Sequence, residues 1–433
     1  MRVSVIGAGL AGLEAAWALL NEGAQVDLYD MKPQKFSPAH HSENFAELVC
    51  SNSLKADRIS TAAGLLKAEM RLLDSMLLEI AEYCKVPAGG ALAVDRGEFS
   101  KLATEKISVH PRIKIHRGEV TELPDGSVII ATGPLTSDDF AKCITSVTGG
   151  EALSFFDAAA PIVTLDSIDK SKVFFASRYG RGGDDYINCP FTKEEYERFY
   201  AELIAAESVM LKDFEQNPAV YEGCMPVEIL AKRGVDTLRF GSLKPVGLKD
   251  PSTGKRPWAV VQLRRENATG TLFNLVGFQT NLKFSEQKRV FSMIPGLENA
   301  EFSRYGVMHR NTFIDSPRLL DRDFVLRSNQ RIVFAGQITG VEGYMESAAS
   351  GIIAAKQLAR RLKGEPRLNL PKETMLNALC AYISDESVED FQPMGANMGL
   401  LPPLDVRIKD KRQRYEMMAE RALTALQNSL REA

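Results

Sequence analysis

Several things are scarce in this sequence, and each absence narrows what the chain can be. Its six cysteines, Cys50, Cys84, Cys143, Cys189, Cys224 and Cys380, are scattered, with no Cys-x-x-Cys pair. Neither a disulfide framework nor a thiolate metal site of the usual spacing is expected, and no metal is assigned. No stretch approaches the ~18 consecutive apolar residues that a spanning helix needs. A strand-like run begins at Val3, so no signal peptide is expected, and the expected location is the cytoplasm. There is also no surplus of positive charge: 53 Lys and Arg stand against 56 Asp and Glu, a formal net charge of −3. That balance argues against a dedicated nucleic-acid binder but leaves room for a local basic patch.

What is present is ordinary for a globular chain. The 433 residues are 45% hydrophobic and 25% charged, enough for a sizeable core, and at ~150 residues per domain two or three domains are expected. No internal repeat or low-complexity tract is visible.

The N-terminus carries the most specific local signal. Val3-Ser4-Val5-Ile6 suits a buried parallel strand, and Gly7-Ala8-Gly9-Leu10-Ala11-Gly12 follows at once as GxGxxG. A helical pattern then places Leu10, Leu13, Trp17 and Leu20 on one face and stops near Asn21-Glu22-Gly23. A second strand, Ala24 to Tyr29, closes with Asp30. Gly7 permits the tight turn, Gly9 lets the backbone approach a pyrophosphate, and Gly12 lets the helix pack close to the strand. The helix start offers free N–H groups to phosphate, and Asp30 stands where a carboxylate binds ribose hydroxyls. Alone, GxGxxG is a weak signal; strand, helix, second strand and terminal acid together make a dinucleotide site.

Two distant segments point to FAD as the resident cofactor. Ser127 to Ile130 reads as a strand of the same sheet and ends in Ala131-Thr132-Gly133. Far downstream, Arg331 to Ala335 reads as another buried strand, running into Gly336-Gln337-Ile338-Thr339-Gly340-Val341-Glu342-Gly343-Tyr344. A small-residue helix is expected from Glu346 to Leu358. Such a helix start favours negative charge on a reduced flavin, a device a simple NAD domain does not need. The competing reading is a βα unit whose glycines serve packing. The expected cofactor-binding residues are therefore Gly7, Ala8, Gly9, Leu10, Ala11, Gly12, Asp30, Ala131, Thr132, Gly133, Gly336, Gln337, Gly340, Glu342, Gly343 and Tyr344. The fold class that follows is α/β: a discontinuous FAD-binding Rossmann-like domain, related to the two-dinucleotide folds, of residues 1–150 and 325–433. Residues 151–324 would be inserted into it as an α+β substrate domain.

That insertion has a different texture. Strands are expected at Ile162–Leu165, Val173–Phe175, Trp258–Leu263 and Thr271–Val276, the last two joined as a hairpin, with a helix from Thr192 to Ala206. Basic residues cluster at Arg178 and Arg181, at Lys232 and Arg233, at Arg264 and Arg265, and from Lys409 to Arg414. Each cluster taken singly reads as a solvated face; RNA binding would need several of them to converge on one cleft.

Five longer motifs carry a resemblance. They are His40 to Leu54 (HHSENFAELVCSNSL), Tyr221 to Glu228 (YEGCMPVE), Val276 to Leu282 (VGFQTNL), Arg304 to Thr312 (RYGVMHRNT) and Gly399 to Leu404 (GLLPPL). Together they resemble the TrmFO family, the folate- and FAD-dependent tRNA uracil-C5 methyltransferases, from the first strand to near residue 410. A larger sibling family that modifies the wobble uridine carries an extra C-terminal domain for which this sequence is too short. Departures are small: Asp30 where Glu is also common, and Gly395 where a larger polar residue is expected.

The resemblance implies 5-methyluridine formation in the tRNA T-loop, with methylenetetrahydrofolate giving the carbon and NAD(P)H the electrons through FAD. It also implies that Cys50 and Cys224 are the catalytic cysteines. Cys224 is assigned as the nucleophile that adds to uracil C6. Cys50 takes the flavin-side role, as base for the C5 proton or partner of the methylene carrier. The other four cysteines are expected to be buried and inert. His40 and His41 either serve this chemistry or merely form a polar loop. Alternatives are the same chemistry on a 23S rRNA uridine and a non-methylating NAD(P)H flavin oxidoreductase.

Overall fold

The computed structural model describes residues 1–150, 153–209, 225–389 and 391–432, with backbone only for 153–157, 309 and 310. The chain opens on strand β1 (Arg2–Ile6), helix α1 (Leu10–Asn21) and strand β2 (Gln25–Asp30). Strand β3 (Ser53–Ala56), helices α2 (Ala62–Leu72) and α3 (Met76–Tyr83), and strands β4 (Lys85–Val86) and β5 (Ala91–Val94) follow. Helix α4 (Arg96–Ser108), strands β6 (Ile113–Arg117) and β7 (Ser127–Ile130) and helix α5 (Asp138–Thr148) complete this stretch. The apolar run of β1 pairs in parallel with β2 on one side and with β7 on the other. It is buried on both faces, as parallel strands covered by helices are. The expected strand, helix and second strand form where the fingerprint placed them. Strands β3, β5 and β4, which lacked an alternating pattern long enough to read, form a small antiparallel sheet.

A second sheet occupies the middle. Strands β8 (Leu153–Ala158), β9 (Ile162–Thr164), β10 (Phe174–Phe175) and β11 (Tyr186–Phe191) lead to helices α6 (Lys193–Ala205), α7 (Val227–Ala231) and α8 (Thr237–Phe240). The hairpin of β12 (Ala259–Arg265) and β13 (Leu272–Leu275), helix α9 (Phe284–Phe291), strands β14 (Phe302–Arg304) and β15 (Met308–Phe313) and helix α10 (Ser316–Leu319) follow. The six-stranded order is β10-β11-β12-β13-β9-β14, every neighbouring pair antiparallel. β12 shows why one face is dry. Ala259, Val261 and Leu263 enter a core with Tyr196, Phe199 and Leu203 of α6, while the alternate residues Val260, Gln262 and Arg264 face the other way. The α6 start carries the expected capping box, Thr192 and Glu195 exchanging side-chain and backbone bonds.

The chain then returns to the first sheet. Strand β16 (Ile332–Phe334) pairs in parallel with β7, giving the order β16-β7-β1-β2-β6. Helix α11 (Tyr344–Lys363) starts two residues before the expected Glu346 and runs five past Leu358; helices α12 (Met375–Ile383) and α13 (Lys411–Glu432) follow. α11 packs tightly along α1: a Cβ on Gly351 would lie 2.1 Å from the carbonyl of Ala11, so only glycine admits this approach. The large core spans β1, β7, β16, α1, α11 and α12.

Two carboxylates are buried in this core, each receiving a helix start. Glu14 of α1 accepts the hydroxyl of Ser75 and the N–H groups of Met76 (3.2 Å) and Leu77 (3.0 Å) at the start of α3. Glu69 of α2 accepts the N–H groups of Met375 (2.8 Å) and Leu376 (2.9 Å) at the start of α12. Free N–H groups and the positive dipole end explain the pairing. Burial nevertheless pushes both carboxyls up, Glu14 to about 7 and Glu69 to about 8. Among the described residues, no helix is long and apolar enough to cross a membrane.

Candidate functional site

The parallel strands of the first sheet end at one side of the molecule, and a cleft opens there. In an open α/β sheet, ligands bind in this crevice beyond the carboxyl ends. Its wall is made by Gly7 to Ala11 after β1, Tyr29 to Lys32 at the end of β2, Gly118 to Val120 after β6 and Ala131 to Ser137 after β7. Gly336 and Gln337 after β16, with Tyr344 and Ser347 of α11, complete it.

The fingerprint glycines do different work. Gly7 has φ +99°, and a Cβ on it would meet the Ala131 carbonyl oxygen at 2.5 Å, so β7 passes directly beneath it. A Cβ on Gly12 would lie 1.7 Å from the Gly7 carbonyl, which is the close helix–strand contact the motif requires. At Gly9 nothing lies within 4 Å of a built Cβ, and no side chain caps the start of α1. The first N–H groups of α1 are thus left to whatever enters the cleft, and an anion is the matching occupant. Asp30 accepts Ala8 N–H (3.1 Å) and Lys32 N–H (2.9 Å), which fixes its carboxylate at the cleft edge. Lys32 is buried, with Glu47 at 3.6 Å, and burial pulls its ammonium below the usual lysine range.

Of the residues expected to bind the cofactor, Gly7 to Ala11, Asp30, Ala131 to Gly133, Gly336, Gln337 and Tyr344 form the cleft wall. Gly12, Gly340, Glu342 and Gly343 lie behind it. A Cβ on Gly340 would strike the Phe391 ring at 2.4 Å, and one on Gly343 would meet Glu346 and Lys55, so these residues shape the turn that leads into α11. Glu346, in the first turn of that helix, pairs with Lys55 at 2.9 Å and accepts Ala396 N–H at 3.0 Å.

Cys50 stands one residue beyond Val49, which lines the cleft. Its loop is held from three directions. Tyr344 accepts the N–H groups of Cys50 (2.8 Å) and Ser51 (3.2 Å). Arg264 of β12 donates to the Asn52 side-chain oxygen (2.9 Å) and to the Ser51 hydroxyl (2.7 Å). Arg96 donates to the Leu48 carbonyl, and Arg304 approaches the Cys50 carbonyl at 3.4 Å. The thiol itself lies 3.7 Å from the Ala158 carbonyl. Among the described residues, three guanidinium groups share this pocket with one carboxylate, Glu266, paired to Arg96 at 2.9 Å. The surplus shows on Arg304, whose guanidinium is pushed down to about 10 by burial and then by Arg96. Negative charge is therefore favoured beside Cys50. The Tyr344 hydroxyl is pushed up, by burial first and by Cys50 second.

Cys224 lies outside the described residues. Cys84, Cys189 and Cys380 are buried, with burial pushing Cys84 and Cys380 up to about 12 and Cys189 higher still; Cys143 is half-buried and also raised by burial. His40 lines the cleft, its Nδ1 2.6 Å from the Ser37 hydroxyl, whereas His41 is exposed. One reading is corrected. The Arg264–Arg265 pair was expected on a solvated face, but Arg264 is buried and holds the Cys50 loop, because Asn52 and Ser51 supply its acceptors. Arg96 and Glu266 were not anticipated, and Arg304 was named only as the first residue of a motif, without a role. The available signal was the polar alternation Gln262, Arg264, Glu266 at the end of an apolar strand, a row that buried sheets carry only when it is hydrogen-bonded.

This chain is similar to known proteins. The sequence model of the family described as glucose inhibited division protein A matches residues 2–366. A methylenetetrahydrofolate–tRNA-(uracil-5-)-methyltransferase TrmFO of Desulforamulus reducens is 61% identical over 98% of this chain and 96% of its own length. Proteins of the same description from Acetivibrio thermocellus (59% identical, 98% and 97%) and Listeria monocytogenes (55% identical, 98% and 98%) are similar over the same extent. Among solved structures, Aquifex aeolicus GidA superposes with a TM-score of 0.71 at 16% identity, covering 99% of this chain and 73% of that one; at that identity the likeness is one of fold.

Proposed function

The chain belongs to the glucose-inhibited division protein A family and, within it, to the TrmFO methyltransferases, and from that premise we propose how its own residues carry out the reaction. The enzyme is a methylenetetrahydrofolate-dependent tRNA (uracil-5-)-methyltransferase and a flavoprotein. The observation that carries our reading is the Cys50 loop, bound to the cleft wall through Tyr344 and surrounded by guanidinium groups.

The cleft fits FAD. The uncapped start of α1 and the open space over Gly9 suit a pyrophosphate, and Asp30 suits a ribose. Gly7 to Gly12, Asp30, Ala131 to Gly133, and the segment of Gly336, Gln337, Gly340, Glu342, Gly343 and Tyr344 would hold it. When bound, FAD passes two electrons from NAD(P)H to the transferred carbon.

The remaining steps belong to the chain and its substrates. Cys224, as thiolate, forms a bond to uracil C6, and the π pair shifts to C5. C5 bonds to the folate methylene as the first of its two carbon–nitrogen bonds breaks, and the second breaks as the C5 proton is lost, releasing the folate. Cys50 serves on the flavin side, taking the C5 proton or holding the methylene; expulsion of the Cys224 sulfur then restores the ring. The substrate is a T-loop uridine, and the enzyme works in the cytoplasm, in keeping with the free state of the described cysteines. Residues 1–150 with 325–433 form the FAD-binding domain and 151–324 the substrate domain; two separate cores support the division, although the larger one also takes in Ile314, Leu320 and Phe324 from the end of the second segment.

The test is methylation of a tRNA transcript by the FAD-loaded protein with methylenetetrahydrofolate and NADPH. Cys50→Ser and Cys224→Ser should each keep the flavin and lose 5-methyluridine. Methylation at the wild-type rate by either variant would remove that cysteine from the reaction.

A further inference from the structure

Beyond the cleft, the outer edge of the antiparallel sheet differs from the rest of the surface. Between Lys232 and Arg256 there are seven basic side chains and two aspartates, in a chain whose overall charge is −3. Two large aromatic side chains stand out of the same region: Phe240 is 74% exposed and Tyr179 60%.

The two segments are one surface. Tyr179 donates its N–H to the Gly247 carbonyl (2.9 Å), and Arg178 donates to the Val246 carbonyl (2.8 Å). The Tyr179 backbone has φ +58°, a conformation that costs a non-glycine residue on the order of 1 kcal/mol, and the Gly247 bond holds it there. Guanidinium groups lie against both rings, Arg181 5.3 Å from the Tyr179 centroid and Arg239 5.3 Å from that of Phe240. Lys244 and Lys249, in the same 232–249 segment, are exposed.

The surface also leads to the reactive loop. Arg178 bonds Gln262 at 2.6 Å, and two residues further along the same face of β12 Arg264 bonds Ser51 and Asn52. That step is about 7 Å. We propose that the 178–181 turn and the 232–249 segment form an RNA-docking platform: its lysines take backbone phosphates, and Tyr179 and Phe240 stack on unpaired bases. Exposed aromatics among cations fit single-stranded or loop RNA, where bases are free to stack, better than a continuous duplex. This rests on the reading of the protein as an RNA methyltransferase and adds where the RNA sits.

The experiment uses the full-length, FAD-loaded protein and an unmodified tRNA transcript, with binding followed by fluorescence anisotropy across a salt series and without folate. Phe240→Ala and Tyr179→Ala should each weaken binding by on the order of tenfold. A Lys244→Ala/Lys249→Ala double variant should weaken it and lower the slope of log affinity against log salt by roughly 1.4 to 1.8. Lys101→Ala/Lys114→Ala, the same charge lost from α4 and β6 outside the platform, should bind as wild type. Flavin absorbance and melting temperature, unchanged in all, show that the variants fold. Wild-type affinity in the platform variants would overturn the platform and leave methyl transfer standing. Failure of the wild-type protein to methylate any RNA in the complete assay would instead overturn the functional reading, whatever the binding data show.

Discussion

The hydroxyl oxygen of Tyr344, at the first position of α11, accepts the backbone N–H of Cys50 over 2.8 Å, across 294 residues of sequence. Through this bond the helix that closes the nucleotide cleft also fixes the position of the reactive loop. Tyr344→Phe keeps the ring and removes the acceptor, leaving two N–H groups of a half-buried loop without it. The expected cost is about 1–3 kcal/mol of loop stability. Methylation should slow with flavin content unchanged, and alkylation of Cys50 by iodoacetamide should change rate, as followed by mass spectrometry.

Gly9 and Gly12 separate two reasons for glycine in one motif. Gly12→Ala drives a methyl group into the Gly7 carbonyl and should cost roughly 1–3 kcal/mol of stability as well as flavin. Gly9→Ala meets only open space, so the melting temperature of the flavin-free protein should hold while flavin content falls. Absorbance at about 450 nm per protein, read beside thermal melts, checks both.

Glu69 makes stability depend on pH in the less familiar direction. Its folded value is raised to about 8 from 4.5 by burial, so between those values the folded chain holds a proton that the unfolded chain has released. Stability is therefore present in full below about 4.5 and is lost as pH rises towards 8, at up to about 1.4 kcal/mol per pH unit. Glu69→Gln, which keeps one acceptor for the start of α12, should flatten that part of the profile. Urea midpoints from pH 5 to 8 with an unchanged slope would count against it.

Lys55 and Glu346 couple the small sheet to α11. The carboxylate is almost wholly buried and the lysine half exposed. Lys55→Met leaves a buried charge served by a single N–H group, with an expected loss of about 1–3 kcal/mol. Adding Glu346→Gln should return part of that loss. Strict additivity of the two changes in thermal melts would show that the pair is not coupled.

The first βαβ unit was legible in the sequence because every piece of it is local: Val3 to Asp30 holds strand, turn, helix and acid within thirty residues. Ser127 to Ile130 and Arg331 to Ala335 could be read as strands from their apolar runs, but their pairing could be expected only by analogy with flavoproteins. The sheet of β3, β4 and β5 escaped because strands of two to four residues carry too little alternation to read. At the site, Cys50 was found by its surrounding motif and Tyr344 as part of the cleft, whereas the arginines that hold the loop were not read as doing so. Arg96, Arg264 and Arg304 come from three separate stretches, and an arginine in sequence looks solvated until its acceptors are known. Arg264 and Glu266 show the limit well: their polarity in an apolar strand was visible, but Asn52, some two hundred residues away, is what makes Arg264 tolerable in the interior.

The parallel pairing of β7 with β16 has a consequence for how the protein is made. Residue 130 leaves the ribosome some two hundred residues before residue 332, an interval of roughly 10 to 40 seconds at ordinary synthesis rates. Throughout it the nascent sheet presents an open edge and α1 lacks the helix that buries it. The growing polypeptide must shield that edge, by chaperone or by its own half-built middle, against pairing with a neighbour on the same messenger.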